Sequence, residues 1–294
     1  MRFATFDHQG LARLGVVMDG QVHDITALYP SMLALIEAGS DGQEAVEAWM
    51  QAPGAAPLGL AEVDLRAPIP EPRRDLFAVG LNYLDHFEES TAKVSDELPP
   101  YPSFFVKATG SVIGPGESIG YPAGISEQLD YEGEIAVVIG TRGRDIAVSE
   151  AEGHVFGYTL ANDVTVRDVQ RRHGGQWNKG KSIDRSCPLG PLIVTADEVE
   201  LSELTIECEV NGELRQHARA GQLIFGVAEI VAELSVGMTL LPGDVILTGT
   251  PSGVGYARKP PMFLRPGDQV VVRSNQLGEL ANPVGTDLGP LVGV

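Results

Sequence analysis

Asp130-Tyr131-Glu132-Gly133-Glu134-Ile135-Ala136-Val137-Val138 runs two closely spaced carboxylates into an apolar tail. The tail reads as a strand, and along a strand residues i and i+2 share a face. Glu132 and Glu134 would then project together, beside a glycine that lets another group approach the backbone. Neighbouring carboxylates repel unless a proton or a cation relieves them. Oxygen ligands of this kind suit Mg²⁺, Mn²⁺ or Ca²⁺ rather than zinc. On an exposed strand face the same pair would simply be solvated.

The same texture extends in both directions. Short β-like runs separated by Gly and Pro cover residues 76–79, 104–106, 134–139, 155–160, 192–194, 204–210, 245–248 and 269–273, with one clear helix at 227–234. Asn211-Gly212, between residues 204–210 and 213–217, is a hairpin turn signal. The pattern predicts a β-rich α+β domain rather than a doubly wound parallel sheet. Upstream, strands at 2–6, 13–18 and 22–25 and helices at 31–37 and 43–51 predict a small α+β unit. A Pro- and Gly-rich stretch, 52–57 with Pro68, Pro70 and Pro72, separates the two, so the expected division is residues 1–70 and 71–294.

Bulk properties narrow the function. The 294 residues carry a formal charge of −19 and a pI near 4.6, which disfavours nucleic acid and anionic membrane surfaces as partners. With 43 % apolar residues, a sizeable core is affordable at this length. The start of the chain lacks the apolar core of a signal peptide, and no run approaches a membrane span. Cys187 and Cys208 form neither a disulfide framework nor a metal-finger pattern, so a reducing cytoplasm is the expected location.

Further polar groups stand around the acidic pair. Asn162-Asp163 ends an apolar run, and Asp163 offers either a third carboxylate or a helix N-cap, with Arg167 as its partner. Six of the 21 basic residues (Arg167, Arg171, Arg172, Lys179, Lys181 and Arg185) fall in the 19 residues from 167 to 185. In so acidic a chain this is either a site for an anionic substrate or a loop balancing nearby acids. If Gly80–Glu89 is helical, His86 and Glu89 lie one turn apart, the spacing of a carboxylate-oriented general base and equally of an inert surface pair. The Gly-rich stretch 241–255 exposes backbone N–H groups able to bind a carboxylate, yet it matches neither a Walker loop nor a dinucleotide fingerprint.

In order, Gly-Leu-Asn-Tyr-x-x-His (80–86), Phe-Phe-Val-Lys-Ala (104–108), Asp-Tyr-Glu-Gly-Glu (130–134), Gly-Tyr-Thr-x-x-Asn-Asp (157–163) and Arg-Asp-x-Gln (167–170) are followed by Gln-Trp (176–177) and Gly-Lys-Ser-x-Asp (180–184). Pro-Leu-Gly-Pro (188–191), Val-Asn-Gly-Glu (210–213) and Pro-Gly-Asp-x-Ile-x-Thr-Gly-Thr-Pro-x-Gly-Val-Gly (242–255) complete the series. The ordered set, spanning residues 76–284, resembles the fumarylacetoacetate hydrolase family. That resemblance implies a mixed β-roll catalytic domain, usually dimeric, behind a small variable N-terminal domain. It implies Mg²⁺ or Mn²⁺ on Glu132, Glu134 and Asp163, and no organic cofactor. Arg167, Gln170, Lys181 and Thr250 match positions that contact the substrate's carboxylate and oxo groups, with Lys107 a weaker candidate for the same pocket. His86 and Glu89 match a water-activating dyad on a mobile segment, which residues 91–101 would extend.

The chemistry so implied is hydrolysis of the C–C bond of a 2,4-dioxo acid, an acylpyruvate, to pyruvate and a carboxylic acid. In that scheme Lys181 and Gln170 are the oxyanion donors. Oxaloacetate decarboxylation and isomerisation of a 2-hydroxymuconate-type diacid are the alternatives on the same site.

Overall fold

Beyond Glu134, residues 135–139 form a strand with no polar face, because both of its faces are covered. The computed structural model describes residues 1–51, 56–90 and 97–289. Residues 52–55 of the expected domain boundary and 91–96 of the expected lid extension lie outside the described residues. Strand Gly133–Ile139 is buried along its whole length. Ile135, Val137 and Ile139 pack in one core cluster, Ala136 and Val138 in another. An apolar run bounded by polar residues is the signature of such a doubly buried strand.

It lies within a large mixed sheet. From one edge the order is Leu58–Gly59, Gln21–Asp24, Leu11–Met18, Arg2–His8, Cys187–Thr195, Val155–Asn162, Gly133–Ile139, Val245–Leu247, Leu76–Gly80 and Ser103–Lys107. Neighbours are antiparallel except Val245–Leu247 and Leu76–Gly80, which run parallel. The N-terminal strands continue this sheet, since Arg2 and Phe3 pair with Val194 and Ile193. Helices Met32–Glu37, capped by the Ser31 hydroxyl, and Gly39–Met50 cover one face through Met32, Leu35, Ile36 and Val46. A four-stranded antiparallel sheet, Glu213–Arg219, Thr205–Val210, Gln269–Ser274 and Gly278–Pro283, contributes Ile206, Cys208, Val270, Val272 and Leu280 to the cluster on the other face. Helix Val227–Ser235 adds Ile230 and Val231 there.

Asn211 and Gly212 join the first two strands of the smaller sheet with φ of 53° and 75°. Only residues tolerant of the left-handed region suit that turn. Both cysteines are free and buried, and no helix among the described residues is long and apolar enough to cross a membrane.

Candidate active site

Strand ends bring the polar groups together. Glu132 and Glu134 sit at the start of strand Gly133–Ile139, and Asp163 directly follows its antiparallel neighbour Val155–Asn162. Gly133 lies opposite Asn162 in the register, which sets the three acids side by side. Their ligand oxygens fall within 4.8 Å of one another, and all three residues are at most 3 % exposed. The helix-cap alternative for Asp163 does not apply, because a second short strand, Thr165–Val166, intervenes before helix Arg167–Arg172.

Three cationic side chains surround this trio. Lys181 Nζ donates to Glu132 Oε2 and, over 2.6 Å, to Asp163 Oδ2. Lys107 Nζ stands 2.8 Å from Asp163 Oδ1 but spends its hydrogen bonds on the carbonyls of Val164 and Lys181. Arg167 Nη2 lies 2.6 Å from Glu132 Oε1, while its Nε donates to Asp130 over 2.8 Å and its Nη1 to Gln170 over 3.3 Å. Arg167 therefore pairs with Asp130 and Glu132, not with Asp163.

The electrostatics divide the trio. Burial alone would raise the Glu132 carboxyl, but Lys181, Arg167 and His86 outweigh it and hold the group down at about 2. Burial, followed by the charges of Asp163 and Glu132, pushes Glu134 well above the ordinary glutamate range. Burial works against the Lys181 ammonium, yet Asp163 and Glu132 keep it above the ordinary lysine value. Lys181 is thus a cation and a donor rather than a base.

Buried, all-oxygen and crowded, this donor set fits a hard divalent cation. Asp163 Oδ1 is buried and accepts no hydrogen bond of good geometry, its near neighbour being the Lys107 ammonium, whose own hydrogen bonds go to backbone carbonyls. A cation on the trio would satisfy that oxygen and relieve the repulsion that raises Glu134.

His86 and Glu89 occupy helix Leu84–Glu89, and His86 Nδ1 is 2.9 Å from Glu89 Oε1. Both Glu89 oxygens accept from Gly253 N at 3.1 Å, and Tyr256 Oη donates to Ser90 Oγ over 2.9 Å. These contacts hold the helix down over the trio. His86, Glu132, Glu134, Arg167, Gln170, Lys181 and Thr250 line one cavity, and Trp177, Phe105, Arg171 and Tyr256 are also in its wall. The space is about 30 Å³, enough for about two water molecules, and it opens to solvent beside Arg171. Lys107 stands outside that lining, behind Asp163. Tyr83, Phe87 and Tyr131 are buried and also outside it.

The Gly-rich stretch does bind carboxylates, and they are the protein's own. Gly249 N donates to Glu134 over 2.7 Å, Gly253 N to Glu89, and Gly255 N and Tyr256 N to Asp130. Gly249 has φ of +104°, and a Cβ there would come within 2.8 Å of the Asn82 Cβ. Gly249→Ala should therefore destabilise the protein by about 1–3 kcal/mol through backbone strain, read as a lower urea midpoint. It should also disturb Glu134 and weaken divalent-cation binding.

Comparison with known proteins agrees with this geometry. The family description "Fumarylacetoacetate (FAA) hydrolase C-terminal" matches residues 75–285. The chain belongs to the fumarylacetoacetate hydrolase family. Oxaloacetate tautomerase YisK of Bacillus subtilis (strain 168) is 39 % identical, the alignment covering 97 % of this chain and all of that protein. A fumarylacetoacetate hydrolase from psychrophilic Exiguobacterium antarcticum superposes with a TM-score of 0.85 at 41 % identity, over 97 % of this chain and 99 % of that one. Maleylpyruvate hydrolase from Sphingobium sp. SYK-6, solved with manganese(II) and pyruvate, gives 0.80 at 33 % identity over 98 % and 100 %. The chain is thus a member of an enzyme family, on a strand-rich α+β fold shared with these structures.

Two residues around the family's acidic motif carry more than the sequence indicated. Asp130 accepts from four donors, the N–H groups of Tyr131, Gly255 and Tyr256 and the Arg167 guanidinium. It ties the acidic motif to the Gly-rich stretch and aims Arg167 at Glu132. Tyr256 places its ring 4.4 Å from the Arg167 guanidinium carbon and 5.2 Å from that of Arg171, while its hydroxyl reaches Ser90. Asp130 belongs to the acidic motif, but Arg167 lies 37 residues away and Gly255 and Tyr256 lie 125 and 126 residues away. Tyr256, immediately after the last motif, had no local signal.

Proposed function

We propose that this chain catalyses proton transfer at the carbon next to the 2-oxo group of a short 2-oxo diacid, as in enol–keto tautomerisation of oxaloacetate. The carrying observation is an acid–base pair in which His86 lines the same cavity as Glu132 and Glu134 and is held at Nδ1 by Glu89 behind it. Moving one proton between carbon and oxygen asks for one group able to take and return it, and histidine is that group near neutral pH. The full-length likeness to an oxaloacetate tautomerase favours this reaction within the family.

Glu132, Glu134 and Asp163 would hold Mg²⁺ or Mn²⁺, whose charge would stabilise negative charge developing on the 2-oxo oxygen. The protein's own groups do the rest. Glu89 engages His86 Nδ1 and so leaves Nε2 as the nitrogen that exchanges the substrate proton. Lys181 and Gln170 supply hydrogen bonds to the oxygen that gains charge. Arg167 holds Asp130 and Glu132, and Arg171, exposed at the cavity wall over the Tyr256 ring, suits the second carboxylate of a diacid. Trp177 and Phe105, edge to face at 5.5 Å, give the cavity an apolar stretch of wall.

Hydrolysis of an acylpyruvate is the second reading. A neighbour named maleylpyruvate hydrolase, with manganese and pyruvate bound, favours it, and His86 could equally deprotonate a water. Three assays separate the reactions: loss of enol-oxaloacetate absorbance, pyruvate release from acetylpyruvate, and pyruvate release from oxaloacetate, each with Mg²⁺, Mn²⁺ or EDTA. We expect metal-dependent ketonisation to exceed both pyruvate-forming rates. Faster release from acetylpyruvate would transfer the assignment to the hydrolase, and faster release from oxaloacetate to a decarboxylase.

A further inference from the structure

Each of the four oxygens of Glu132 and Asp163 already faces a cationic side chain. Arg167 Nη2 faces Glu132 Oε1, Lys107 Nζ faces Asp163 Oδ1, and Lys181 Nζ joins Glu132 Oε2 to Asp163 Oδ2. A divalent ion drawing one oxygen from each acid must therefore compete with resident charge. The three residents are not equally able to yield.

Lys107 is fully buried, is fixed to the carbonyls of Val164 and Lys181, and lies outside the cavity. Arg167 is fixed to Asp130 and Gln170 and packs on Tyr256. The Lys181 ammonium holds two carboxylates of the trio and otherwise meets the Phe105 ring at 5.0 Å, among the described residues. Lys181 and Phe105 both line the cavity, so this ammonium has an apolar shelf to move along and an open space to reach.

We propose that Lys181 is a resident counter-cation of the carboxylate trio, displaced into the cavity when a divalent ion takes Glu132 and Asp163. This rests on the metal reading above and adds an order of events to it. Without the ion, Lys181 neutralises the buried acids and keeps the folded protein stable. With the ion bound, the same ammonium is released toward the substrate's oxygens. Cation binding thereby prepares the anion site, and by linkage an anion in the cavity tightens the cation.

The test uses metal-stripped full-length protein, with Mn²⁺ binding followed by electron paramagnetic resonance and oxalate as an unreactive dianion. Lys181→Met removes the competing charge, so Mn²⁺ should bind about tenfold or more tighter than in the wild type. Oxalate should bind the Mn²⁺-loaded variant about tenfold more weakly, and the metal-free variant should melt at lower temperature. Should Lys181→Met fail to fold, Lys181→Gln keeps a hydrogen-bonding group without the charge and should show the same tightening. Mn²⁺ affinity that is unchanged or weaker in the folded variant would overturn the proposal. If the wild type binds no Mn²⁺ that Glu134→Ala removes, the metal reading itself fails, and this one with it.

Discussion

Glu134→Ala should abolish Mn²⁺ binding and turnover together while leaving the fold intact. Loss of an outer partner of a metal ligand already costs 10–100-fold in affinity, so losing a ligand should cost more than about 100-fold. Of the trio, Glu134 is the acid that faces no cationic side chain at hydrogen-bonding distance among the described residues; its partner is Gly249 N. Removing it also removes the repulsion that Asp163 and Glu132 exert on it. The metal-free variant should therefore be no less stable than the metal-free wild type. Turnover retained in Glu134→Ala would sink the assignment of this site.

The same residue dictates a pH dependence. An acid whose pKa is raised on folding costs no stability while protonated, and costs progressively more as the pH rises from the ordinary glutamate value through the raised one. Glu134 should thus penalise the metal-free protein increasingly over that window, and a cation on the trio should lift the penalty. Glu132 acts in the opposite sense. Held down at about 2, it contributes stability that is present above its ordinary value of 4.5 and is lost as the pH falls toward 2. The increase in melting temperature on adding Mn²⁺ should therefore grow as the pH is raised above the ordinary glutamate range. An increase that shrinks with rising pH would contradict the assignment of Glu134 as a ligand.

Local signals made much of the fold legible. The apolar run after Glu134 and the Asn211-Gly212 turn read correctly because a doubly buried strand and a left-handed turn each impose composition on a few adjacent residues. Helix Arg167–Arg172 escaped notice because Arg-Asp-Val-Gln-Arg-Arg contains one apolar residue and no period. The union of the N-terminal strands with the main sheet rests on Arg2 and Phe3 meeting Val194 and Ile193, a pairing that no local pattern encodes.

For the site, the spacings Glu132-x-Glu134 and His86-x-x-Glu89 were enough to suggest shared faces, and in both cases the side chains do meet. Asp163 stayed open between ligand and helix cap until the chain path was known. The partners of Arg167 and the four-donor seat of Asp130 could not be read at all, since they depend on which loops a sheet carries to one end. Motif order identified the family because it samples many of those loops at once.

Replacing His86 should separate chemistry from cation binding. His86→Ala should lower kcat by about 10²–10⁴-fold, the range for losing a positioned proton-transfer group, with Mn²⁺ affinity within a few-fold of the wild type. The trio keeps every ligand oxygen in that variant. Glu89→Gln is the sharper probe of orientation. Its amide retains an oxygen for Gly253 N but loses the charged partner that orients the imidazole through Nδ1. We expect kcat to fall, though less than in His86→Ala, with KM and Mn²⁺ affinity within a few-fold of the wild type. A merely structural Glu89 would leave kcat in place and alter only stability. If His86→Ala keeps full ketonisation activity but loses pyruvate release from acetylpyruvate, His86 serves to activate water and the tautomerisation proceeds through other groups. Equal loss of both would make one imidazole the proton carrier for both reactions.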